Sequence, residues 1–518
     1  VIDPVHPDDE KNDDDAPEPI KITSRIDYKQ DTRGYLAEKR GQIVIHDLAT
    51  GENRQLTSGS GEHVAPRWSP DGKSIAAMYP VPNFVNSRLE LIDVASGAIR
   101  DLTSETGIIG TWLWAEDGSA LLVTQDPEWT FQHEAWSIPV DGGPARQITH
   151  DSLITTSGSW SVSRSPDHPV WVDGGLALYP AASRGRSGLY AVDTETGEMT
   201  EEVVWDAEHT GFSVDASRRY IAQTRSSFDA TGEIVVHDRE TGKTTQITSL
   251  NTALLKKAKP GQWERFDIER NGFTIESWLL KPADFDPAKR YPLILDIHGG
   301  PNSWYGYDFD NLREAMASAG FVVVFSNPRG SGTYGQKFTS AVQRDWGGED
   351  YLDLMAVADY AVQLPYIDAE RTGVYGYSYG GFMTSWIIGH TDRFKAAVIG
   401  APVVDLVSFF GTSDIGHIWA PNQVGGTPWG IPDWYREHSP ITYLPNAKTP
   451  SLILHSEGDV RCPIGQGEQC FTALKIAGVE TEFVRYPGGD HLFVWNAYEP
   501  SYVEDFLGRV VGWFEKYV

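Results

Sequence analysis

The sequence predicts an all-β repeat region joined to an α/β domain, on three observations. A three-part phrase recurs about every 45 residues between Ile20 and Lys259. Beyond Lys259-Pro-Gly261, apolar strands alternate with helical segments. A Gly-x-Ser-x-Gly pentapeptide, Gly376-Tyr-Ser-Tyr-Gly380, falls at one of the strand-to-helix junctions.

Length and composition bound the reading before any motif does. The chain has 518 residues, 40% hydrophobic and 22% charged, enough for a large core and for two to four domains. It carries 43 basic and 72 acidic side chains, a net charge of −29. A field of that sign repels phosphate backbones and anionic lipid, so neither nucleic acid nor a membrane is an expected partner. Apolar runs such as Phe321-Val-Val-Val-Phe325 are too short to span a bilayer. The N-terminus, Val1-Ile-Asp-Pro4, has no basic stretch followed by an apolar one, so no uncleaved signal peptide is visible and a cytoplasmic location is expected. The absence of an initiating Met points to a processed or trimmed chain. Composition leaves homo-oligomerisation open. Two cysteines, Cys462 and Cys470, cannot form a disulfide framework, and each is expected as a small packed side chain.

Residues 1–19 carry Asp8-Asp9-Glu10 and Asp13-Asp14-Asp15 among four prolines, with too little apolar surface to offset ordering; they read as an acidic flexible arm, with metal binding as the alternative. Residues 20–258 then repeat. First comes a strand ending in Asp, two residues, Thr or Ser, and Gly: Asp47-Leu-Ala-Thr-Gly51, Asp93-Val-Ala-Ser-Gly97, Asp193-Thr-Glu-Thr-Gly197 and Asp238-Arg-Glu-Thr-Gly242, with Asp141-Gly-Gly143 as a short form. Asp and Gly suit the tight turn that a hairpin needs. A strand closing on Leu56-Thr57, Leu102-Thr103, Ile148-Thr149 or Ile247-Thr248 follows. The third phrase is Trp68-Ser-Pro-Asp-Gly72, Trp114-Ala-Glu-Asp-Gly118, Ser165-Pro-Asp167 or Val214-Asp-Ala-Ser217. Several short strands per 45-residue unit mark the blades of a β-propeller, whereas a β-sandwich would not keep three phrases in phase. About five blades are visible; either the propeller is small or its first blades lie outside this chain.

Residues 259–518 are expected to form the second domain. It opens on a hairpin over Glu264–Leu280 around Asn271-Gly272. Strand Leu293–His298, helix Asn311–Ala319, strand Phe321–Ser326 and helix Tyr351–Gln363 follow. Strand Gly373–Tyr377, a helix from Gly380, and strands Ala396–Gly400 and Leu452–His455 come next. Helix Gln466–Ala477, strand Glu482–Tyr486 and a final helix Val503–Lys516 complete it. Such alternation predicts a mainly parallel sheet covered on both faces, with the site at the carboxyl ends of its strands.

The Gly-x-Ser-x-Gly elbow leaving a buried strand defines the α/β-hydrolase fold, and makes Ser378 the candidate nucleophile. A serine hydroxyl needs a base with a carboxylate behind it. On this fold the order is serine, acid, histidine, and Asp459 in His455-Ser-Glu-Gly-Asp459 and His491 in Gly488-Gly-Asp-His491 follow late strands in that order. Glu457 and Asp490 are rivals for the acid, and His455 reads as a structural histidine. Developing negative charge on the substrate oxygen needs backbone donors: Tyr379, next after the nucleophile, and Gly300 in His298-Gly-Gly-Pro301 are the candidates. Gly330-Ser-Gly-Thr-Tyr-Gly335, with Asp350 twenty residues past its first glycine, imitates a dinucleotide fingerprint. Asn327-Pro-Arg329 separates it from its strand, which argues against that reading. No His-Glu-x-x-His or paired Cys-x-x-Cys occurs, so no metal centre and no cofactor is indicated.

Together these stretches resemble the prolyl oligopeptidase family of serine peptidases, most closely its acylaminoacyl-peptidase and dipeptidyl-peptidase-V-like branch. The motifs that carry the resemblance are His298-Gly-Gly-Pro301, Asn327-Pro-Arg-Gly-Ser331, Asp345-Trp-Gly-Gly348 and Gly376-Tyr-Ser-Tyr-Gly-Gly381. Ser439-Pro440, His455-Ser-Glu-Gly-Asp459 and Gly489-Asp-His491 complete the set. The resemblance covers nearly the whole second domain and is architectural over the propeller. It implies cleavage of short peptides with the propeller restricting access, although family members often carry a longer propeller. The double-Glu anchor of the proline-specific dipeptidyl peptidases is not recognisable; Glu201-Glu202 follows a blade turn and is expected to be solvated. Arg436 and His438 are candidates for holding a substrate carbonyl. A carboxylesterase with the same three residues, and an interaction module on an inactive hydrolase scaffold, are the competing readings.

Overall fold

The fold is described from a computed structural model, over residues 20–36, 40–81, 86–104, 107–150, 168–209, 211–496 and 498–518. The acidic arm of residues 1–19 and Ser165-Pro-Asp167 lie outside the described residues. The chain divides into two compact units, one within residues 1–129 and 134–150, the other within 130–133 and 151–518.

The first unit holds two four-stranded antiparallel sheets, over residues 64–101 and 108–147, and two strand pairs, over residues 29–35 and 44–55. Its cores are small and local: Ile43, Leu56, Ile75 and Ile92 in one, Leu89, Trp112, Leu121 and Ile138 in another. The repeated phrases have separate tasks. Asp47 Oδ1 accepts the amides of Ala49 and Thr50 at 2.8 and 2.9 Å, and Asp93 Oδ1 that of Ser96 at 2.7 Å, which closes each turn ahead of Gly51 and Gly97 at φ 74°. The threonine of the Leu-Thr phrase replaces a strand carbonyl: Thr57, Thr103 and Thr149 Oγ1 accept the amides of Ile43, Leu89 and Ala135 at 2.8–2.9 Å, each fourteen residues upstream.

The second unit begins with two more four-stranded antiparallel sheets, over residues 170–204 and 212–246, built by the same devices. Asp193 caps its turn, and Thr248 Oγ1 accepts the amide of Ile234 at 2.8 Å, again fourteen residues upstream. Among the described residues the repeat region thus supplies four four-stranded sheets and two strand pairs, a propeller-like all-β region. The expected solvated pair is partly held: Glu202 bonds Arg239, just past the last residue of a strand in the next sheet, at 2.6 Å and is 18% exposed, and Glu201 meets Arg186 of the paired strand at 3.3 Å.

An eight-stranded sheet follows, with strands β1 (Gln262–Arg270), β2 (Phe273–Lys281), β3 (Tyr291–Ile297), β4 (Val322–Ser326), β5 (Ile367–Tyr377), β6 (Ala396–Gly400), β7 (Ser451–Ser456) and β8 (Thr481–Tyr486). Their spatial order is β1-β2-β4-β3-β5-β6-β7-β8. The β1–β2 and β2–β4 pairs are antiparallel and all later pairs parallel. Every residue of β4, β6 and β7 is buried, as expected of strands covered on both faces. Helices α1 (Asn311–Ser318), α2 (Glu349–Val362), α3 (Tyr379–His390), α4 (Gly465–Ile476) and α5 (Pro500–Tyr517) provide that cover. No described helix is long and apolar enough to cross a membrane. Between β6 and β7 the chain forms three short helices, Leu406–Thr412, Gly416–Gln423 and Pro432–Glu437, that the sequence pattern did not predict.

Candidate active site

The elbow between β5 and α3 is built by exclusion. Ile297 of β3 pairs with Gly376, and Gly400 of β6 accepts the Ser378 amide at 2.9 Å, so the turn is wedged between two strand ends. A Cβ on Gly376 would overlap the Gly380 backbone, and one on Gly380 would overlap the Ile297 carbonyl oxygen. Only glycine fits either place. Ser378 is left at φ 62° and ψ −118°, a conformation that costs a non-glycine residue about 1–3 kcal/mol and is held by its surroundings. Its side chain is half-buried at the head of α3.

Two loops deliver the partners. His491, after β8, places Nε2 3.0 Å from Ser378 Oγ and Nδ1 2.6 Å from Asp459 Oδ2. Asp459, after β7, has its second oxygen on the Cys462 amide at 2.7 Å. His455, fully buried, lies 3.4 Å from Asp459 Oδ2 and bonds the Cys462 carbonyl through the same nitrogen at 2.6 Å, which pins the 459–462 turn. Burial alone would raise the Asp459 carboxyl, but His491 and His455 outweigh it and hold it well below the usual carboxylate range. Burial likewise disfavours a charged imidazole at His491, and the Asp459 carboxylate overrides it, so His491 sits well above its ordinary value.

The rivals point elsewhere. Glu457 pairs with Arg485 at 2.8 Å, and Asp490 accepts the Leu492 amide at 2.8 Å. Arg436 is occupied by Asp433 at 3.0 Å and Glu437 at 3.6 Å, and His438 stacks on Trp434 with centroids 4.1 Å apart. Neither has a described contact with Ser378, Asp459 or His491.

The oxyanion candidates flank the serine. Tyr379 opens α3, so no carbonyl one turn back can take its N–H. The His298-Gly-Gly turn lies against the elbow: a methyl on Gly299 would stand 3.5 Å from Ser378 Cβ, and Gly300 follows at φ 117°. The glycine-rich stretch that imitates a nucleotide loop supports this turn. Ser331 Oγ lies 2.9 Å from His298 Nε2, and Asn302 Nδ2 donates to the Gly330 carbonyl at 2.9 Å. Burial depresses the His298 imidazole to about 4.

Three side chains around the serine elbow were not singled out by sequence as part of the site. Cys462, a free buried thiol, has Sγ 3.9 Å from Ser378 Oγ. Tyr377 donates from its hydroxyl to the His491 carbonyl at 2.9 Å, tying the strand that carries the serine to the loop that carries the imidazole. Asp350 meets Tyr379. Only proximity in the fold reveals the first two, although Tyr377 stands inside the elbow motif. Among the described residues no group of three or more His, Cys, Asp or Glu side chains could hold a metal ion.

Residues 307–518 match the pattern of the prolyl oligopeptidase family and residues 33–166 that of the TolB beta propeller domain. An uncharacterized peptidase of Bacillus subtilis is 35% identical to this chain over 528 residues, 98% of this chain and 79% of its own length. A dipeptidyl-peptidase 5 of Aspergillus fumigatus is 31% identical over 71% of this chain, which spans about half of that relative, 51%. Among solved structures, the acylaminoacyl peptidase of Pyrococcus horikoshii superposes with a TM-score of 0.78 at 24% identity, over 92% of this chain and 74% of that one, which shows a common fold. The Bacillus relative, matched along almost all of this chain, and the pattern over its C-terminal part place the protein in the prolyl oligopeptidase family of serine peptidases.

Proposed function

We propose that the chain hydrolyses short peptides through an acyl-enzyme intermediate formed on Ser378. The reading rests on one observation, the His491 imidazole lying 3.0 Å from the Ser378 hydroxyl and 2.6 Å from the Asp459 carboxylate. Ser378 Oγ attacks the peptide carbonyl while His491 Nε2 takes its proton. The carbonyl oxygen becomes an oxyanion facing the N–H groups of Tyr379 and Gly300. His491 then donates that proton to the leaving amine, the C–N bond breaks, and an acyl-serine remains. Water, deprotonated by the same nitrogen, releases the acid and restores Ser378. Asp459 keeps Nδ1 protonated and offsets the charge that the imidazole gains. Membership of a peptidase family and the names of the relatives support peptides as the substrate class.

Short peptides with free and with acetylated amino termini, compared with matched esters, test the reading. Cleavage of the peptide amides is expected. Turnover of the esters alone, with no amide cleaved, would replace the peptidase by a carboxylesterase.

A further inference from the structure

Asp350 is buried on the first turn of α2, and no part of the proposed reaction uses it. Its Oδ2 accepts the Tyr379 hydroxyl at 2.5 Å and the Gly347 amide at 3.2 Å, while Oδ1 takes the Tyr351 amide at 2.8 Å. Tyr379 is itself 2% exposed, with its ring edge-on to Trp346 at 5.0 Å and stacked on Phe382 at 5.8 Å. The segment 345–350 therefore grips one side chain twice, by a ring and by a carboxyl. Its shape is set for that grip. Gly347 stands at φ 83° against the Trp386 ring, where no side chain fits, and Asp345 accepts the Glu349 amide at 2.9 Å.

The gripped residue begins where Ser378 ends. Ser378 holds a positive φ, and the peptide between it and Tyr379 aims the N–H that the proposed function assigns to the oxyanion. A strained peptide keeps its orientation only if both ends are fixed. The strands β3 and β6 fix the serine end. The far end is fixed by α3, which Tyr379 opens, and by the Tyr379 side chain held on Asp350.

We propose that Asp350 is a positioning residue for the hydrolytic reaction, holding the Tyr379 hydroxyl so that the Tyr379 N–H stays aimed at the oxyanion. The inference rests on the proposed function of Ser378. Anchoring of this kind acts on the transition state more than on the bound substrate, because the donor must meet the oxyanion and not the ground-state carbonyl.

Tyr379→Phe removes the hydroxyl and keeps the ring on Trp346. Its kcat per fluorophosphonate-labelled site is expected to fall about tenfold, less than the roughly hundredfold or greater loss from deleting an oxyanion donor. KM should stay within about twofold, and affinity for a reversible peptide aldehyde, whose adduct carries the oxyanion, should fall by the same factor as kcat. Asp350→Asn, which keeps an acceptor for the hydroxyl, should lose less than Tyr379→Phe. A kcat within about twofold of the unaltered enzyme for Tyr379→Phe, or a rise in KM with no change in kcat, would overturn the proposal. So would Asp350→Asn losing more than Tyr379→Phe. A failure of Ser378 as the nucleophile is separable, since the unaltered protein would then take no fluorophosphonate there, and an esterase reading is separable because the unaltered protein would be labelled yet cleave no peptide amide.

Discussion

Burial and the Asp459 carboxylate push the His491 imidazole in opposite directions, and the carboxylate, 2.6 Å away, prevails. In the proposed reaction only the neutral imidazole can take the proton of Ser378. The rate should therefore be low where His491 is charged and rise as pH passes through its raised value. An acid limb in kcat/KM centred above 6.5 is expected from a pH profile. Asp459→Asn removes the charge that lifts it, so the limb should move down while kcat drops by roughly 10⁴-fold. A limb at or below 6.5 in the unaltered enzyme would contradict the coupling. At this scale the sequence was informative for Ser378, Asp459 and His491, since motif context and chain order restrict them to three loop positions. It set Asp459 ahead of Glu457 and Asp490 on loop position alone, and where the rival side chains point is visible only in the structure. Arg485 draws Glu457 away, and the Leu492 amide holds Asp490. The Tyr377 hydroxyl reaches a carbonyl 114 residues along the chain, a contact that no local pattern encodes.

Elements with a repeating or a strictly apolar pattern were readable, and elements defined by packing were not. The threonine of the Leu-Thr phrase is a case of the first kind. Thr149 and Ala135 are both buried, so Thr149→Val leaves the Ala135 N–H without an acceptor in a space that stays filled. A destabilisation of about 1–3 kcal/mol is expected from the denaturant midpoint, and an unchanged midpoint would mean that the repeated threonine is not a strand substitute. Strand β5 is a case of the second kind. It begins at Ile367, six residues before the expected Gly373, because the register shifts across Asp368-Ala-Glu-Arg371, a polar stretch that reads as loop. The three short helices between β6 and β7 escaped for a similar reason. They are six to eight residues long, and Gly416–Gln423 contains Pro421, so no helical period builds up.

Across the whole molecule, the order of folds was readable and the grouping of the chain was not. Repeats placed the all-β region before the hydrolase sheet, yet the sheets over residues 170–246 share a compact unit with that sheet. Contacts such as the Arg184 amide on the Thr333 carbonyl and Phe228 within the large core join them, and neither leaves a mark in the repeat phrase. At this scale the proposed function rests on a single side-chain oxygen, that of Ser378, which lies 3.0 Å from the His491 imidazole. Ser378→Ala keeps the backbone conformation and removes only that oxygen. Peptide hydrolysis and fluorophosphonate labelling, measured on both proteins with their melting temperatures, test the assignment most directly. The account predicts that the unaltered protein is labelled at Ser378 and cleaves peptides, and that the variant does neither while melting at nearly the same temperature. Peptide cleavage by a folded Ser378→Ala protein at a rate close to the original would contradict it.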